Sequence, residues 1–198
     1  MGGMGATGSA TDLTGRLLVA TPELVGPEFE RTVILVLEHA PASGALGVVL
    51  NRPLGVPVAA QLPRWAGCDV LAEPAVLFCG GPVRDDSVLV LAVAHLGAEL
   101  GDLRPVASRL VVLPVSVGPA QAQSWSEGVR VFAGYAGWGR GQLEGELAAG
   151  YWYVVDSEPS DVVQADPARL WRSVLRRQRG VHSPLALVAT WTADPELN

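Results

Sequence analysis

The segment FAGYAGWGRGQLEGEL, from Phe132 to Leu147, says more about the fold than any other stretch of the chain. A strand-like apolar run leads into four glycines within eight residues, Gly134 to Gly141. A helical pattern follows at once, because Leu143 and Leu147 are one helical turn apart. A glycine at position 150 stands where helices favour an ending residue. The segment therefore predicts a strand, a tight glycine turn and a helix over residues 142–149.

This glycine turn allows two interpretations. Free backbone N–H groups ahead of a helix can bind an anion. The glycine spacing, however, matches neither GxGxxG nor GxxxxGK[ST], and Glu144 and Glu146 in the first helical turn would repel a phosphate. The interpretation that we favour is a tight turn with Tyr135 and Trp138 packed against the core. One functional hypothesis instead places these two aromatic residues and Gln142 on an exposed contact surface.

Short apolar segments punctuated by glycine and proline predict strands along the rest of the chain. They are Arg16–Ala20, Thr32–Glu38, Gly47–Asn51, Val76–Cys79, Ser87–Ala94, Leu110–Pro114, Val129–Tyr135 and Tyr151–Val155. Their apolar runs are mostly continuous, which is typical of a sheet covered on both faces. Further helices are predicted over Val58–Trp65 and Gly118–Trp125, and from Asp166 to about Gln178. Strands outnumber helices, and the order favours a single α+β domain.

Composition narrows the class of protein. The 198 residues suit one domain, residues 16–179, between a flexible leader, 1–15, and a tail, 180–198. We expect a cytoplasmic protein without a membrane helix, because the amino terminus lacks signal-peptide features and no apolar run reaches about 20 residues. The two cysteines are too few for a secreted disulfide framework. All 14 positive charges are arginine, and the net charge of −6 disfavours an extended nucleic-acid surface.

Polar residues gather at the ends of two neighbouring strands. Arg31 begins one strand, Glu38 and His39 end it, and Asn51 and Arg52 end the next. If the two strands pair as a hairpin, Arg31 approaches Asn51 and Arg52 at the end opposite His39. His39 can act as an acid or base, but no nucleophile or metal partner is adjacent in sequence. Ion pairs that fix the strand ends are the interpretation that we favour.

Two further features carry open alternatives. Cys79, ahead of Gly80 and Gly81, forms a Cys–His pair if it lies beside His39 or His95, but is more often a small core residue. The sequence contains no CxxC, HExxH or GxSxG motif, so we expect no metal and no cofactor.

The last predicted helix carries Arg169, Arg172 and Arg176 on one face, with Arg177 and Arg179 near its end. This is either a solvated face or a contact surface for an acidic partner or nucleic acid.

Four blocks together resemble the YqgE/AlgH family of bacterial proteins. They are FERTVILVLEH (Phe29–His39), GALGVVLNRP (Gly44–Pro53), FCGGPV (Phe78–Val83) and the segment Phe132–Leu147. The resemblance implies an α+β domain whose bent, bifurcated, mostly antiparallel sheet forms a pseudo-barrel with a few packed helices. The AlgH name comes from a proposed transcriptional regulator, and no catalytic residues are carried over. The positions that match form a candidate binding surface: Arg31, Glu38, His39, Asn51, Arg52, Gly80, Gly81, Tyr135, Trp138, Gln142 and Glu144.

Three functional hypotheses follow. The leading one is a non-catalytic regulatory module that binds a protein partner through the polar and aromatic surface around Trp138. The second is an enzyme or small-ligand binder that uses the glycine turn with His39, Arg31 and Arg52. The third is direct nucleic-acid binding through the arginines of the last helix, which the net charge disfavours.

Overall fold

The structure is a computed structural model that describes residues 12–40, 42–103, 105–114 and 116–178, together with 184, 185, 188 and 189. The side chains of residues 84–86 are outside this description. The predicted leader and tail lie mostly outside the described residues, and Arg179 does so too. Residues 12–15, which the sequence assigns to the leader, pack on the sheet: Leu13 is buried, and the N–H of Gly15 donates to the carbonyl of Val36 at 2.8 Å.

Ten strands form one curled, mostly antiparallel sheet within the described part of the chain. They are β1 (Arg16–Ala20), β2 (Val33–Ala40), β3 (Gly44–Val49), β4 (Pro53–Pro57), β5 (Val76–Cys79), β6 (Val83–Ala94), β7 (Pro105–Ala107), β8 (Leu110–Leu113), β9 (Ser126–Trp138) and β10 (Trp152–Asp156). The strand order is β10-β1-β2-β3-β9-β6-β8-β7, with β4 and β5 beside this path. The sheet forms a half-barrel with a few helices, so the predicted single α+β domain is confirmed.

Five short helices surround this sheet in the same part of the chain. They are α1 (Val58–Gln61), α2 (Pro119–Gln123), α3 (Gln142–Ala148), α4 (Pro159–Val162) and α5 (Leu170–Arg176), with 3₁₀ turns at Pro63–Trp65 and Pro167–Arg169. The predicted helix over residues 58–65 is divided, because Pro63 has no N–H for a continuing helix and begins a 3₁₀ turn instead. Strands β4 and β7 were not predicted, since both are short and contain proline, and β4 is exposed along its whole length.

The sheet branches on β9. Its last residues, Ala136–Trp138, pair with β3, while its earlier part pairs with β6. Strand β5 joins in parallel, with Phe78 opposite Phe132. Gly134 lies at the branch with a φ of 72°, a backbone conformation that glycine adopts far more readily than other residues. The branch accounts for the predicted bent, bifurcated sheet and for the glycine at its centre.

Strands β1 and β2 bury side chains on both faces, as their continuous apolar runs predict. On one face, Leu17 and Leu35 belong to the cluster that includes Trp171 of α5. On the other, Leu18 packs in the cluster that includes Leu143 of α3. Helices α3 and α5 therefore lie on opposite faces of the sheet. Residues of α3 and residues of α5 cannot contribute to one binding surface on a single face.

The close approach of β5 and β9 can be tested by adding one methyl group. A Cβ on Gly80 would lie 2.1 Å from the carbonyl oxygen of Gly134, so the two backbones would have to separate. We expect Gly80→Ala to lower the free energy of unfolding in urea by about 3 kcal/mol.

The control is Gly145→Ala, an exposed position of α3 with nothing within 4 Å of the added Cβ. This change should raise the free energy of unfolding by about 0.5–1 kcal/mol, because alanine favours the helix. A Gly80→Ala protein as stable as the wild type would show that the two backbones do not touch.

Candidate functional site

The turn before β2 is held by the side chain of Asn51, which is 5% exposed. Its Oδ1 accepts a hydrogen bond from the N–H of Val33 at 3.0 Å, and its Nδ2 donates to the carbonyl of Arg31 at 2.9 Å. Antiparallel pairing of β2 with β3 brings these segments together. The predicted approach of Arg31 to Asn51 is confirmed. The predicted ion pair is replaced by hydrogen bonds from side chain to backbone, because the amide satisfies both groups at once.

Two guanidinium groups lie at this turn, that of Arg31 within it and that of Arg52, which follows β3. Arg31 has a φ of 52°, in the left-handed region that residues with a side chain seldom occupy, and its side chain is exposed. Arg52 donates through Nη2 to the carbonyl of Glu30. Burial lowers the pKa of Arg52, and the charge of Glu30 opposes that shift. Backbone strain at an exposed charged residue is a feature that clusters at binding sites.

The arginines of the last helix lie beside this turn. Arg31, Arg52, Arg169 and Arg172 line one hollow of about 500 Å³. A second hollow of about 630 Å³ is lined by Arg169, Arg172, Ser173, Arg176 and Arg177. The two share Arg169 and Arg172, and we call them together the arginine groove. The sequence singled out Arg31 with Arg52, and separately the arginines of the last helix. It did not predict that the two groups are neighbours, because no local pattern places α5 beside the β2–β3 hairpin.

Trp171 fixes α5 in this position. Its ring is buried, and its Nε1 donates to the carbonyl of Ala20, the last residue of β1, at 2.9 Å. At the end of the helix, Arg177 binds the buried carboxylate of Asp161 through both terminal nitrogens. Burial alone would lower the pKa of Arg177, but the neighbouring carboxylates, chiefly that of Asp161, raise it. Arg177 therefore anchors the helix.

Arg169, in the 3₁₀ turn ahead of α5, and Arg176 are more open to solvent than Arg177. Arg169 pairs with Asp166 at 2.9 Å, but both side chains are at least half exposed, and such pairs contribute little to stability. Arg176 is exposed. A carboxylate or phosphate from outside can compete for Arg169 at small cost, so this face of α5 is suited to binding an anion.

A hollow of about 470 Å³ lies on the other side of Arg52. It is lined by Pro27, Glu28, Val49, Arg52, Pro53, Leu54, Cys79, Gly81 and Pro82, and we call it the proline pocket. Leu54 is 44% exposed at this surface. Arg52 belongs to both linings, so the proline pocket and the arginine groove adjoin each other at this residue.

His39 is enclosed at the far end of the hairpin. Its side chain is 2% exposed, and its Nδ1 accepts a hydrogen bond from the N–H of Leu13 at 3.1 Å. The proton therefore sits on Nε2, which donates to Glu144 Oε1 at 3.0 Å. Both ring nitrogens are occupied in holding the chain together, so His39 has neither a free nitrogen for acid–base chemistry nor one for Cys79. The thiol of Cys79 is 3.5 Å from the carbonyl oxygen of Gly81.

Trp138 is 6% exposed, so the favoured interpretation of a packed Trp138 is confirmed and the alternative of an exposed Trp138 is wrong. Its Nε1 donates to Glu146 Oε2 at 2.8 Å, and Trp152 Nε1 donates to the same oxygen at 2.8 Å. Gln142 Nε2 donates to the other carboxylate oxygen at 3.0 Å. Glu146 is therefore the centre of a polar cluster that sequence reasoning missed. A buried indole N–H usually finds a hydrogen-bond acceptor, but the sequence does not show which carboxylate provides it.

The remaining predicted residues serve the fold. Tyr135 is half-buried against the core cluster that α5 covers, as the packed interpretation predicts. The N–H of Gly139 donates to Gln142 Oε1 at 3.1 Å, so one donor of the glycine turn is already used. Gly80 approaches β9, and Glu38 is exposed on the strand face opposite His39. Within the described ranges, no group of three or more His, Cys, Asp or Glu side chains could hold a metal ion.

The residues of the candidate binding surface predicted from the sequence therefore lie at two separate places in the structure. Arg31, Asn51, Arg52 and Gly81 lie at the arginine groove and proline pocket. His39, Trp138, Gln142 and Glu144 lie at the opposite end of the hairpin, around α3. None of the helices in the described part of the chain is long and apolar enough to span a membrane.

Comparison with known proteins places the chain in a family. A family model described as AlgH-like matches residues 17–183, and the chain belongs to this family. It is 52% identical over 193 residues to a UPF0301 protein of Streptomyces coelicolor, covering 95% of this chain and 96% of the relative. It is 45% identical over 187 residues to a UPF0301 protein of Mycobacterium tuberculosis, covering 93% and 90%.

Two solved structures share the fold. The crystal structure of a Corynebacterium diphtheriae protein has a TM-score of 0.82 at 33% identity, covering 93% of this chain and 95% of that one. The solution structure of AlgH from Pseudomonas aeruginosa has a TM-score of 0.60 at 29% identity, covering 88% and 98%. The resemblance to the YqgE/AlgH family is therefore confirmed.

The strain at Arg31 gives a test that separates stability from binding. Glycine relieves the left-handed backbone, whereas alanine keeps the strain, and both remove the guanidinium group. We expect the Arg31→Gly protein to be about 1 kcal/mol more stable in urea than the Arg31→Ala protein, and at least as stable as the wild type. A glycine variant less stable than the alanine variant would show that the turn is unstrained.

The contact between Glu144 and His39 predicts a pH dependence. The pKa of Glu144 lies below its ordinary value of 4.5, first because its own backbone N–H donates to the carboxylate and second because His39 does. A lowered carboxylate pKa stabilises the fold above the unfolded value, and this contribution is lost as the pH falls through the folded value. The wild type should therefore exceed Glu144→Gln in free energy of unfolding by most at pH 7, and the difference should shrink below pH 4.5. A difference that is constant with pH would contradict this.

Proposed function

We propose that this AlgH-like protein is a non-catalytic binding module that holds an anionic region of a protein partner in the arginine groove. The supporting observation is the convergence of two distant segments on one concave surface. The segments on either side of the β2–β3 hairpin supply Arg31 and Arg52, and α5 with its leading turn supplies Arg169, Arg172 and Arg176. With Arg177, six of the chain's 14 arginines line this groove, although the net charge of the chain is −6.

The groups that a catalytic mechanism would use are engaged elsewhere, which favours binding over chemistry. His39 has both ring nitrogens bonded, and Cys79 directs its thiol toward the carbonyl of Gly81. One donor of the glycine turn, the N–H of Gly139, is bonded to Gln142, and α3 carries two glutamates in contact with buried partners. A regulatory role exerted through a protein partner agrees with the family name and needs no contact with nucleic acid.

We also propose a cytoplasmic location. Cys68 and Cys79 are both free thiols, and disulfide bonds are characteristic of oxidising compartments.

Charge reversal on α5 tests the proposal. Tagged wild type, the double variant Arg169→Glu/Arg176→Glu and the control Arg140→Glu would be used as baits in lysate from Streptomyces coelicolor, which carries a relative of this chain. Arg140 is exposed and lies outside the groove linings. We expect partners that the wild type and the control retain and that the double variant loses by at least tenfold.

The expected loss follows from reversing two charges that face the partner, since like charges at an interface are strongly disfavoured. Equal retention by all three baits would exclude the groove as the contact surface. Retention of nothing specific by the wild type would count against a partner-binding module altogether.

A further inference from the structure

We infer that the occupant is an extended peptide segment in which acidic residues adjoin an apolar side chain, the acidic part in the arginine groove and the apolar part in the proline pocket. This inference rests on the proposed function and gives the chemistry of its partner. It comes from Arg52, which lines both the arginine groove and the proline pocket, so the positive and the apolar surface meet at this residue.

Charge selects the acidic part. Among the described residues that line the arginine groove, Asp166 is the one carboxylate against six guanidinium groups, one of which, that of Arg177, is bound by Asp161. Guanidinium groups bind carboxylates through paired hydrogen bonds, and they lie here along a helix face and a turn. That arrangement fits successive acidic side chains on one chain better than a single small anion.

The proline pocket selects the apolar part. Its lining includes Pro27, Val49, Pro53, Leu54 and Pro82, and its volume of about 470 Å³ has room for an apolar side chain. Leu54 is 44% exposed in β4, a strand that pairs with β5. Leu54 adds to an apolar lining that Arg52 and Glu28 border, and apolar patches with a polar rim mark contact sites. Covering it with a partner's apolar side chain would remove that surface from water.

A nucleic acid fits these linings less well. Proteins that bind single strands without sequence preference stack the bases on exposed aromatic side chains. Among the described residues that line the arginine groove and the proline pocket, the one aromatic residue is Trp171 of the groove, which is buried and hydrogen-bonded to Ala20. Glu28 in the proline pocket would also repel a continuing phosphate backbone.

Labelled peptides test the inference by fluorescence anisotropy at low salt. The probes are a hexapeptide of four glutamates and two leucines, prepared in both orders, its counterpart with serines for leucines, its counterpart with glutamines for glutamates, and a twelve-nucleotide thymidylate strand. We expect the glutamate–leucine peptide in one order to bind at least fivefold more tightly than the glutamate–serine peptide. The glutamine–leucine peptide should bind at least tenfold more weakly, and added salt should weaken the acidic peptides.

Two exposed leucines supply matched variants. Leu54→Ser should remove the preference for leucine over serine by weakening the binding of the glutamate–leucine peptide. Leu96→Ser, at a site 89% exposed and outside both linings, should leave the preference intact. Both side chains are exposed, so neither change should unfold the protein.

The outcomes separate the two proposals. Equal binding of the leucine and serine peptides, or a preference that survives Leu54→Ser, would overturn the apolar contact and leave the anionic groove standing. Tighter binding of the thymidylate strand than of any peptide would overturn the peptide occupant. If no acidic probe binds at low salt, the arginine groove is not an anion site and the proposed function fails with it.

Discussion

The amide of Asn51 is the contact on which the candidate site depends. It satisfies the N–H of Val33 and the carbonyl of Arg31 from a buried position at the end of β3. Without it, two backbone groups would be left without these partners, at a cost of about 1–3 kcal/mol each. The same contact holds Arg31 in a left-handed conformation that the residue would not choose alone. The hairpin therefore stabilises the turn, and the turn places a guanidinium group opposite α5.

Helix α5 completes the site through its own buried contacts. Trp171 reaches across the core to the carbonyl of Ala20, and Arg177 closes on Asp161. These two contacts fix the axis of a seven-residue helix that would not form alone in water. With the position of the helix axis fixed, the side of α5 and its leading turn away from the core carries the groove arginines Arg169, Arg172 and Arg176. Packing thus determines where the positive charge lies in a chain that is acidic as a whole.

Sequence reasoning recovered what local patterns determine. The continuous apolar runs of β1 and β2 predicted a sheet covered on both faces, and the glycine turn with α3 was placed within one residue of its observed end. It missed β4, whose prolines and full exposure give no apolar signal. It also missed Glu146 as the acceptor for two indoles, and the meeting of α5 with the hairpin. Both depend on which elements are neighbours in space, and a single sequence carries no local mark of that.

The most direct test of the account is a side-chain NMR spectrum that resolves the Nε–H signals of the arginines during titration with tetraglutamate. The account predicts that the signals of Arg31, Arg52 and Arg169 shift together along one binding curve, because they line one groove. The signals of Arg64 and Arg140, which lie outside the linings, should stay in place. Shifts of the α5 arginines without those of the hairpin, or on a separate curve, would contradict a single site built from both segments.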